Sequence, residues 1–149
     1  MGTGINLSHL YEEDYCLWYS ENARLLREKK FNEIDVEHIA EELDSMGRHE
    51  EDKLESVLRI LFLHLLKWTY QKSHQGTSWK LSIMEHRNRA KKQIKKNPSL
   101  KGHLSEICTS SYEDSRYEAA QETGLALEIF PIDMPFTIEQ AFAEEWFPN

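Results

Sequence analysis

The chain has 149 residues and a formal net charge of −8 at pH 7. With 40% hydrophobic and 30% charged residues, it has the composition of a folded protein rather than a disordered one, and its length fits a single domain over residues 1–149. The negative charge argues against broad affinity for nucleic acids. The longest apolar run, residues 57–66, is far shorter than the roughly 20 residues that cross a bilayer.

The N-terminus and the cysteines predict the cellular compartment. The first ten residues lack the basic and apolar segments of a secretory signal, and Asn6 stands where a myristoylation motif needs a hydroxyl. The two cysteines, Cys16 and Cys108, lie within helical patterns and have no CxxC spacing, so we expect both to be reduced and buried. These features predict a cytoplasmic protein that makes no membrane contact.

Apolar residues recur at helical spacing along nearly the whole chain, and no segment alternates with a period of two, which predicts an all-α protein. The first helix is expected to bury one face, formed by Tyr11, Tyr15, Trp18, Asn22, Leu25 and Leu26. Asp35 is predicted to cap a second helix, whose inward residues are Val36, Ile39, Ala40 and Leu43. Gly47 can end or kink this helix, and the sequence is compatible both with helices that fold back on each other there and with a helix that runs on through it. A hairpin at Gly47 would place the acids of the second helix out of reach of His64.

The third helix, about residues 48–71, is predicted to be the central one, because it is apolar almost all round. Its inner seam follows spacings of three and four and consists of Leu54, Val57, Leu61, His64 and Trp68. The fourth helix, which Pro98 ends, has a seam of its own, consisting of Trp79, Ile83, His86, Ala90 and Ile94.

A fifth helix, about residues 99–123, is expected to end at Gly124. Its inner seam has small side chains toward the C-terminal end and consists of Leu104, Ile107, Cys108, Ser111, Ser115 and Ala119. Thr137, with Gln140 three residues later, predicts a capping box that opens a short last helix. The aromatic residues of the tail predict that it wraps over the bundle. The expected fold is an up-and-down bundle of about five helices with a C-terminal wrapping segment and a short final helix.

Familiar catalytic signatures are absent from the sequence, including the P-loop, the dinucleotide fingerprint, HExxH and the nucleophile elbow. The Glu-x-x-His pattern of di-iron bundles is also missing. The reverse pattern, His-x-x-Glu, is typical of surface pairs on acidic helices and occurs at His9/Glu12, His38/Glu41 and His103/Glu106.

A polar layer is predicted inside the bundle, because antiparallel helices bring residues equidistant from their connecting turn to the same height. His64 and His86 are equally distant from the middle of the loop that joins the third and fourth helices. His86 and the middle of the fifth helix are equally distant from Pro98. The predicted layer contains His64, His86, Ser111 and Tyr112, with Cys108 at its edge.

This layer has two interpretations. Two histidines and a thiol at one height suit a transition metal such as zinc, and a buried neutral histidine suits a general base. The candidates are then His64, His86 and Tyr112 for catalysis and His64, His86 and Cys108 for metal. Alternatively, the rings hydrogen-bond to hydroxyls and water inside the bundle, and no cofactor is needed.

The fourth helix is strongly basic. Residues 80–101 contain eight Lys or Arg residues and one acid, Glu85, which gives +7 and leaves −15 for the rest of the chain. Such a run favours ion pairing within the protein or with a partner protein. Nucleic-acid binding is an alternative, although no aromatic residues interleave for base stacking. The lysines that carry this alternative are Lys91, Lys92, Lys95 and Lys96.

A set of segments stands in a characteristic order along almost the whole chain: "LYEEDYCLW", "LLREKKFNEID", "IAEELDSMGR", "LHLLKW", "SWKLSI" followed by "HR", "PSL", "YEDSRYEAAQETGL" and "FPIDMPFTIEQAF". In this order the chain resembles the bacterial family of domains of unknown function numbered 29, found largely in photosynthetic lineages. The resemblance implies an all-helical up-and-down bundle in a small intracellular protein. It brings no activity, cofactor, substrate or catalytic residue.

The residues together predict a binding or interaction module without catalytic activity, whose partner is an unknown protein or a second copy. An enzyme that depends on a metal or on histidine, with its site at His64 and His86, is the first alternative. A nucleic-acid binder that uses the basic helix is the second.

Overall fold

The computed structural model describes residues 6–149, and residues 1–5, which belong to the stretch used for the targeting prediction, lie outside the described residues. The described chain is an all-α helical bundle, as predicted. Its helices are α1 (Leu7–Glu13), α2 (Tyr15–Arg27), α3 (Val36–Tyr70), α4 (Thr77–Lys96), α5 (Leu104–Thr123) and α6 (Ile138–Phe142). None of the helices in this part of the chain has the length and apolar character needed to cross a membrane.

The chain divides into an N-terminal unit, Met1–His49, and a C-terminal unit, Glu50–Asn149. The first contains α1, α2 and the beginning of α3, and the second contains the rest of α3 and the helices that follow. A single domain over residues 1–149 stays a prediction.

The predicted first helix is two helices. Asp14 takes extended backbone between them, and its carboxylate caps α2 by accepting a hydrogen bond of 3.0 Å from the N–H of Leu17. The predicted inner face is buried at Trp18, Asn22 and Leu25. It is exposed at Tyr15 and Leu26, because α1 and the beginning of α3, which pack against α2 in this unit, cover only part of its surface.

The predicted second and third helices are one continuous helix, α3, so the chain runs on through Gly47 and does not fold back there. Gly124 alone among the described glycines has a positive φ, and Gly47 has ordinary helical backbone. A glycine in a helix interior costs about 1 kcal/mol relative to alanine, which the good helix formers on both sides offset. Val36 and Leu43, predicted to point inward, are exposed.

The second half of α3 is the centre of the C-terminal unit, as predicted from its all-round apolar character. Its fully buried side chains are Leu54, Leu58, Leu61, Phe62, Leu65 and Leu66. The helix α4 runs antiparallel to it, since the side chain of Gln93 reaches the backbone of Glu50 and Ser82 lies beside His64.

The helix α5 runs parallel to α3, since residue numbers increase in the same direction along both helices from the ion pair Arg59–Glu118 to the ion pair Lys67–Glu122. A turn of 3₁₀ helix, Pro98–His103, precedes α5, and Gly124, with φ 73°, ends it as predicted. The small residues of the predicted seam are buried at Ser111, Ser115 and Ala119, which lets neighbouring helices approach closely.

The C-terminal segment covers the C-terminal unit, as predicted. Thr137 and Gln140 form the expected capping box, with hydrogen bonds of 3.0 and 2.9 Å between backbone and side chain. The ring of Phe136 lies 5.5 Å from that of Phe62. Two tail aromatics are buried, Phe130 and Phe136, and three are half-buried, Phe142, Trp146 and Phe147.

Candidate functional site

His64 lies at the edge of the buried face of α3 and is half-buried. Its Nδ1–H donates a hydrogen bond of 2.9 Å to the backbone carbonyl of Ile60, so Nε2 carries the lone pair of the neutral ring. Burial lowers the pKa of His64, the hydrogen bond to Ile60 raises it, and the positive charge of Lys67 lowers it further. The ring is therefore neutral at pH 7.

His86 on α4 repeats this arrangement. Its Nδ1–H donates a hydrogen bond of 2.8 Å to the carbonyl of Ser82. The Ser82 hydroxyl lies between the two histidines, 3.5 Å from Nδ1 of His64 and 3.4 Å from Nδ1 of His86. The structure thus brings His64 and His86 together around Ser82, which the sequence reasoning did not single out, and both rings keep Nε2 available.

The other members of the predicted layer lie elsewhere in the C-terminal unit. The Ser111 hydroxyl donates to the carbonyl of Ile107 on its own helix, at 2.7 Å, and its oxygen lies 3.1 Å from the carbonyl oxygen of Glu55 on α3. Glu55 precedes His64 by nine residues on α3, which is about 13 Å of helical rise. A single layer that includes both Ser111 and His64 is therefore wrong, because the reflection of α4 onto α5 ignores the turn of 3₁₀ helix between them.

Cys108 and Tyr112 on α5 are buried in the core of the C-terminal unit. Burial raises the pKa of the Cys108 thiol to about 11, and burial likewise raises the pKa of Tyr112 to about 12. The Tyr112 hydroxyl donates a hydrogen bond of 2.5 Å to the carbonyl of Pro131 in the tail. The prediction that both cysteines are buried is right for Cys108 and wrong for Cys16, which is exposed on α2.

Among residues 6–149, no three His, Cys, Asp or Glu side chains form a group that could hold a metal ion. The His-x-x-Glu pair on α3 illustrates why the spacing was uninformative. Nδ1 of His38 lies 2.7 Å from the carboxylate of Asp35, one turn earlier, rather than bonding Glu41. Zinc binding at His64 and His86 stays a prediction.

A groove of about 550 Å³ lies between α3 and α4 in the C-terminal unit, and we call it the basic groove. Half-buried apolar side chains form its floor, Val57 and Ile60, and exposed cations form its rim, Lys53, Arg89, Lys92 and Lys96. Glu50 is the one carboxylate residue in its lining, and His86 stands at one end. Four cations against one acid make the groove positive in a negative chain.

The lysines on the rim are available to a ligand. Within the C-terminal unit, no carboxylate oxygen lies within 4.0 Å of the ammonium groups of Lys53, Lys92 or Lys96, and Arg89 pairs only with Glu85 on its own helix, at 2.6 Å. The basic run is thus not neutralised by ion pairs inside this unit, so its charge faces solvent.

Arg87, one residue beyond His86, is a buried charged residue that the sequence reasoning missed. It is 2% exposed and donates hydrogen bonds to three tail carbonyls, those of Ala141, Glu144 and Trp146, at 2.7, 3.1 and 2.7 Å. The sequence did contain a signal for its burial, because Arg87 stands four residues after Ile83 and three before Ala90 and so lies on the same face of the helix.

A hydrogen-bond network organises the N-terminal unit. The buried carboxylate of Asp35 accepts from the indole N–H of Trp18, at 2.9 Å, and lies 2.7 Å from Nδ1 of His38. The His38 ring stacks on Tyr11 with a centroid distance of 4.0 Å. The Tyr11 hydroxyl in turn donates to Glu42, at 2.7 Å. Tyr11 of α1 and Trp18 of α2 thereby connect the first two helices to the beginning of α3.

These features define a class of protein: an all-α helical bundle whose C-terminal unit has a basic groove beside a histidine pair. The chain belongs to the family described as domain of unknown function DUF29, which matches residues 10–147. The match confirms the resemblance predicted from the order of the segments. No curated protein and no solved structure matches the chain significantly.

Proposed function

We propose that this protein is a cytoplasmic binding module without catalytic activity, which holds an acidic, apolar-faced helix of a partner protein in the basic groove. One observation carries the proposal, namely that the groove combines lysines without ion pairs on its rim with apolar side chains on its floor. An amphipathic helix docks in a groove through its apolar face, and acidic flanks would then meet the rim.

The composition of the groove favours a protein ligand over a nucleic acid. A phosphate backbone is recognised by cations and needs no apolar floor, whereas Val57 and Ile60 form one here. Single strands stack their bases on aromatic side chains, but no Phe, Tyr or Trp lines the groove within the described chain. An acidic amphipathic helix would contact both the cations of the rim and the apolar floor.

Binding of an acidic amphipathic peptide tests this function. We expect a synthetic helix with leucines on one face and glutamates beside them to bind with a Kd on the order of 1 μM. The variant Lys92→Glu with Lys96→Glu should bind it at least about tenfold more weakly, and salt should weaken binding to the wild type. Fluorescence anisotropy measures both effects.

A matched variant controls for net charge. Lys95→Glu with Lys101→Glu changes two exposed lysines that do not line the groove, so it should bind the peptide like the wild type. A scrambled peptide of the same composition should bind weakly, because its leucines no longer share a face. Equal losses in both variants, or stronger binding of duplex DNA than of the peptide, would contradict the proposal.

A second candidate function is a metal- or histidine-dependent activity at His64 and His86. It is favoured by one observation: each ring donates Nδ1–H to a backbone carbonyl and keeps Nε2 available, as metal-bound histidines commonly do. A ligand from a bound substrate would have to complete the coordination of such a metal.

Titration with Zn²⁺ tests this candidate. A site at the pair predicts saturable binding of one equivalent that is lost in His64→Ala and in His86→Ala, because two protein ligands cannot be reduced to one without a large loss of affinity. His103→Ala, which changes an exposed histidine, should leave binding intact. Calorimetry that detects no saturable binding, or equal binding by all the variants, would remove the support for this candidate.

A further inference from the structure

The N-terminal unit buries little apolar surface. Two of its described hydrophobic side chains are buried, Trp18 and Leu25. Eight large ones are exposed, Tyr15, Leu17, Tyr19, Leu26, Phe31, Val36, Leu43 and Met46. Monomeric proteins seldom concentrate so many exposed apolar side chains in one small region, and small units commonly gain stability by association. This unit therefore has the surface of an interaction partner.

The beginning of α3, residues 36–46, which we call the acidic segment, joins an apolar stripe to negative charge. Three apolar side chains fall on one side of the helix through spacings of seven and three and are 59, 62 and 64% exposed, Val36, Leu43 and Met46. Three exposed carboxylates accompany them, Glu37, Glu41 and Asp44. The segment contains no lysine or arginine.

We propose that the acidic segment of a second copy of this chain is the helix that the basic groove holds. This inference rests on the proposed function and names its partner. The stripe and the floor formed by Val57 and Ile60 are both apolar, and the carboxylates of the segment have the charge opposite to that of the rim lysines. Neither set of charges is paired within its own unit, so both are free to pair across an interface.

The exposed apolar area of the acidic segment comes from Val36, Leu43 and Met46, which are 59, 62 and 64% exposed. A standard interface buries about 800 Å² on each partner, so the interface would also bury polar surface of the segment and of the groove rim. Complementary charges mainly set specificity and the rate of association. Each copy has both the segment and the groove, so self-association needs no other protein.

Reversal of charge on each side tests the inference with the full-length chain. One variant carries Glu41→Lys with Asp44→Lys, and the other carries Lys92→Glu with Lys96→Glu. All four positions are exposed and free of ion pairs within their units, so both variants should keep wild-type circular dichroism. Light scattering and sedimentation velocity over a range of concentrations report the oligomeric state.

We expect the wild type to associate and each variant alone to weaken association at least about tenfold, because like charges then face each other. An equimolar mixture should recover association, since the reversed segment of one variant then meets the reversed groove of the other, and the unchanged segment meets the unchanged groove. Lys95→Glu with Lys101→Glu is the matched control and should associate like the wild type. A monomeric wild type, or a mixture no better than its components, would overturn the inference.

The two proposals fail separately. If the synthetic acidic peptide binds in the groove while the wild type stays monomeric, the second copy is not the partner and the proposed function stands. If neither self-association nor peptide binding occurs, both proposals are contradicted. Association that survives both reversals would show that the copies meet through another surface, which also overturns the inference.

Discussion

Substitution of Arg87 by alanine is expected to lower the free energy of unfolding of the C-terminal unit by about 4 kcal/mol. The guanidinium joins α4 to three tail carbonyls, those of Ala141, Glu144 and Trp146. It is 2% exposed, so water cannot replace the lost donors without opening the structure. A hydrogen bond to a charged group contributes more than one between neutral groups, and here one side chain makes three.

Urea unfolding followed by circular dichroism measures this loss, and hydrogen exchange locates it. Amides of α6 and of the residues after it should exchange faster in Arg87→Ala, because the side chain that holds their carbonyls is missing. Arg87→Lys should also be destabilised, since a single ammonium group cannot reproduce the planar fork of donors.

Arg89→Ala is the matched control, two residues along the same helix. Arg89 is exposed and pairs with Glu85 one turn away, and such a pair on a helix surface contributes about 0.5 kcal/mol or less. Comparable losses from the two substitutions, or unchanged exchange in the tail of Arg87→Ala, would show that Arg87 does not hold the C-terminal segment.

Asp35→Ala is expected to destabilise the N-terminal unit by about 3 kcal/mol. The substitution leaves the buried indole N–H of Trp18 without its acceptor and removes the partner of His38. It also removes the acceptor of a hydrogen bond from the backbone N–H of His38 in the first turn of α3, and loss of such a cap costs about 1 kcal/mol by itself. Hydrogen exchange in α2 and at the start of α3 measures the effect locally, and Asp44→Ala, an exposed aspartate on the same helix, should change it little.

The Asp35 carboxylate also predicts a dependence on pH. Burial raises the pKa of Asp35, but the hydrogen bonds from Trp18 and His38 outweigh burial and leave the pKa below its ordinary value. A carboxylate with a lowered folded-state pKa contributes stability above the unfolded pKa of about 4, and the contribution is lost as the pH falls through the folded value.

Asp35→Asn should therefore be less stable than the wild type at neutral pH, and the difference should shrink in acid, where the wild-type carboxyl is itself protonated. Urea unfolding of both proteins at pH 7 and near pH 3 measures the two differences. A difference that stays constant or grows in acid would contradict the assigned network.

Local patterns predicted the helices of the C-terminal unit well. The capping box at Thr137 and the left-handed glycine at Gly124 depend on residues within a few positions of each other, so the sequence alone identifies them. The interior of α3 was also predictable, because a helix that is apolar all round needs neighbours on every side. The pattern did not decide what happens at Gly47, because a glycine within a helical pattern can either end the helix or lie in its interior.

The candidate site was only partly within reach of the sequence. The reflection of α3 onto α4 correctly brings His64 near His86, since a short loop joins two antiparallel helices. The same reasoning failed for Ser111, where a turn of 3₁₀ helix lies between the two helices and shifts the register.

By itself, the sequence determined the helical class, most helix ends and the family, because these depend on neighbours along the chain and on the order of segments. Only the tertiary structure decided which cations are free, which arginine is buried and where a groove forms. Arg87 donates hydrogen bonds to carbonyls 54 to 59 residues away, and Val57 lines the same groove as lysines of another helix. Contacts of such separation depend on how the helices pack, which helical periodicity does not specify.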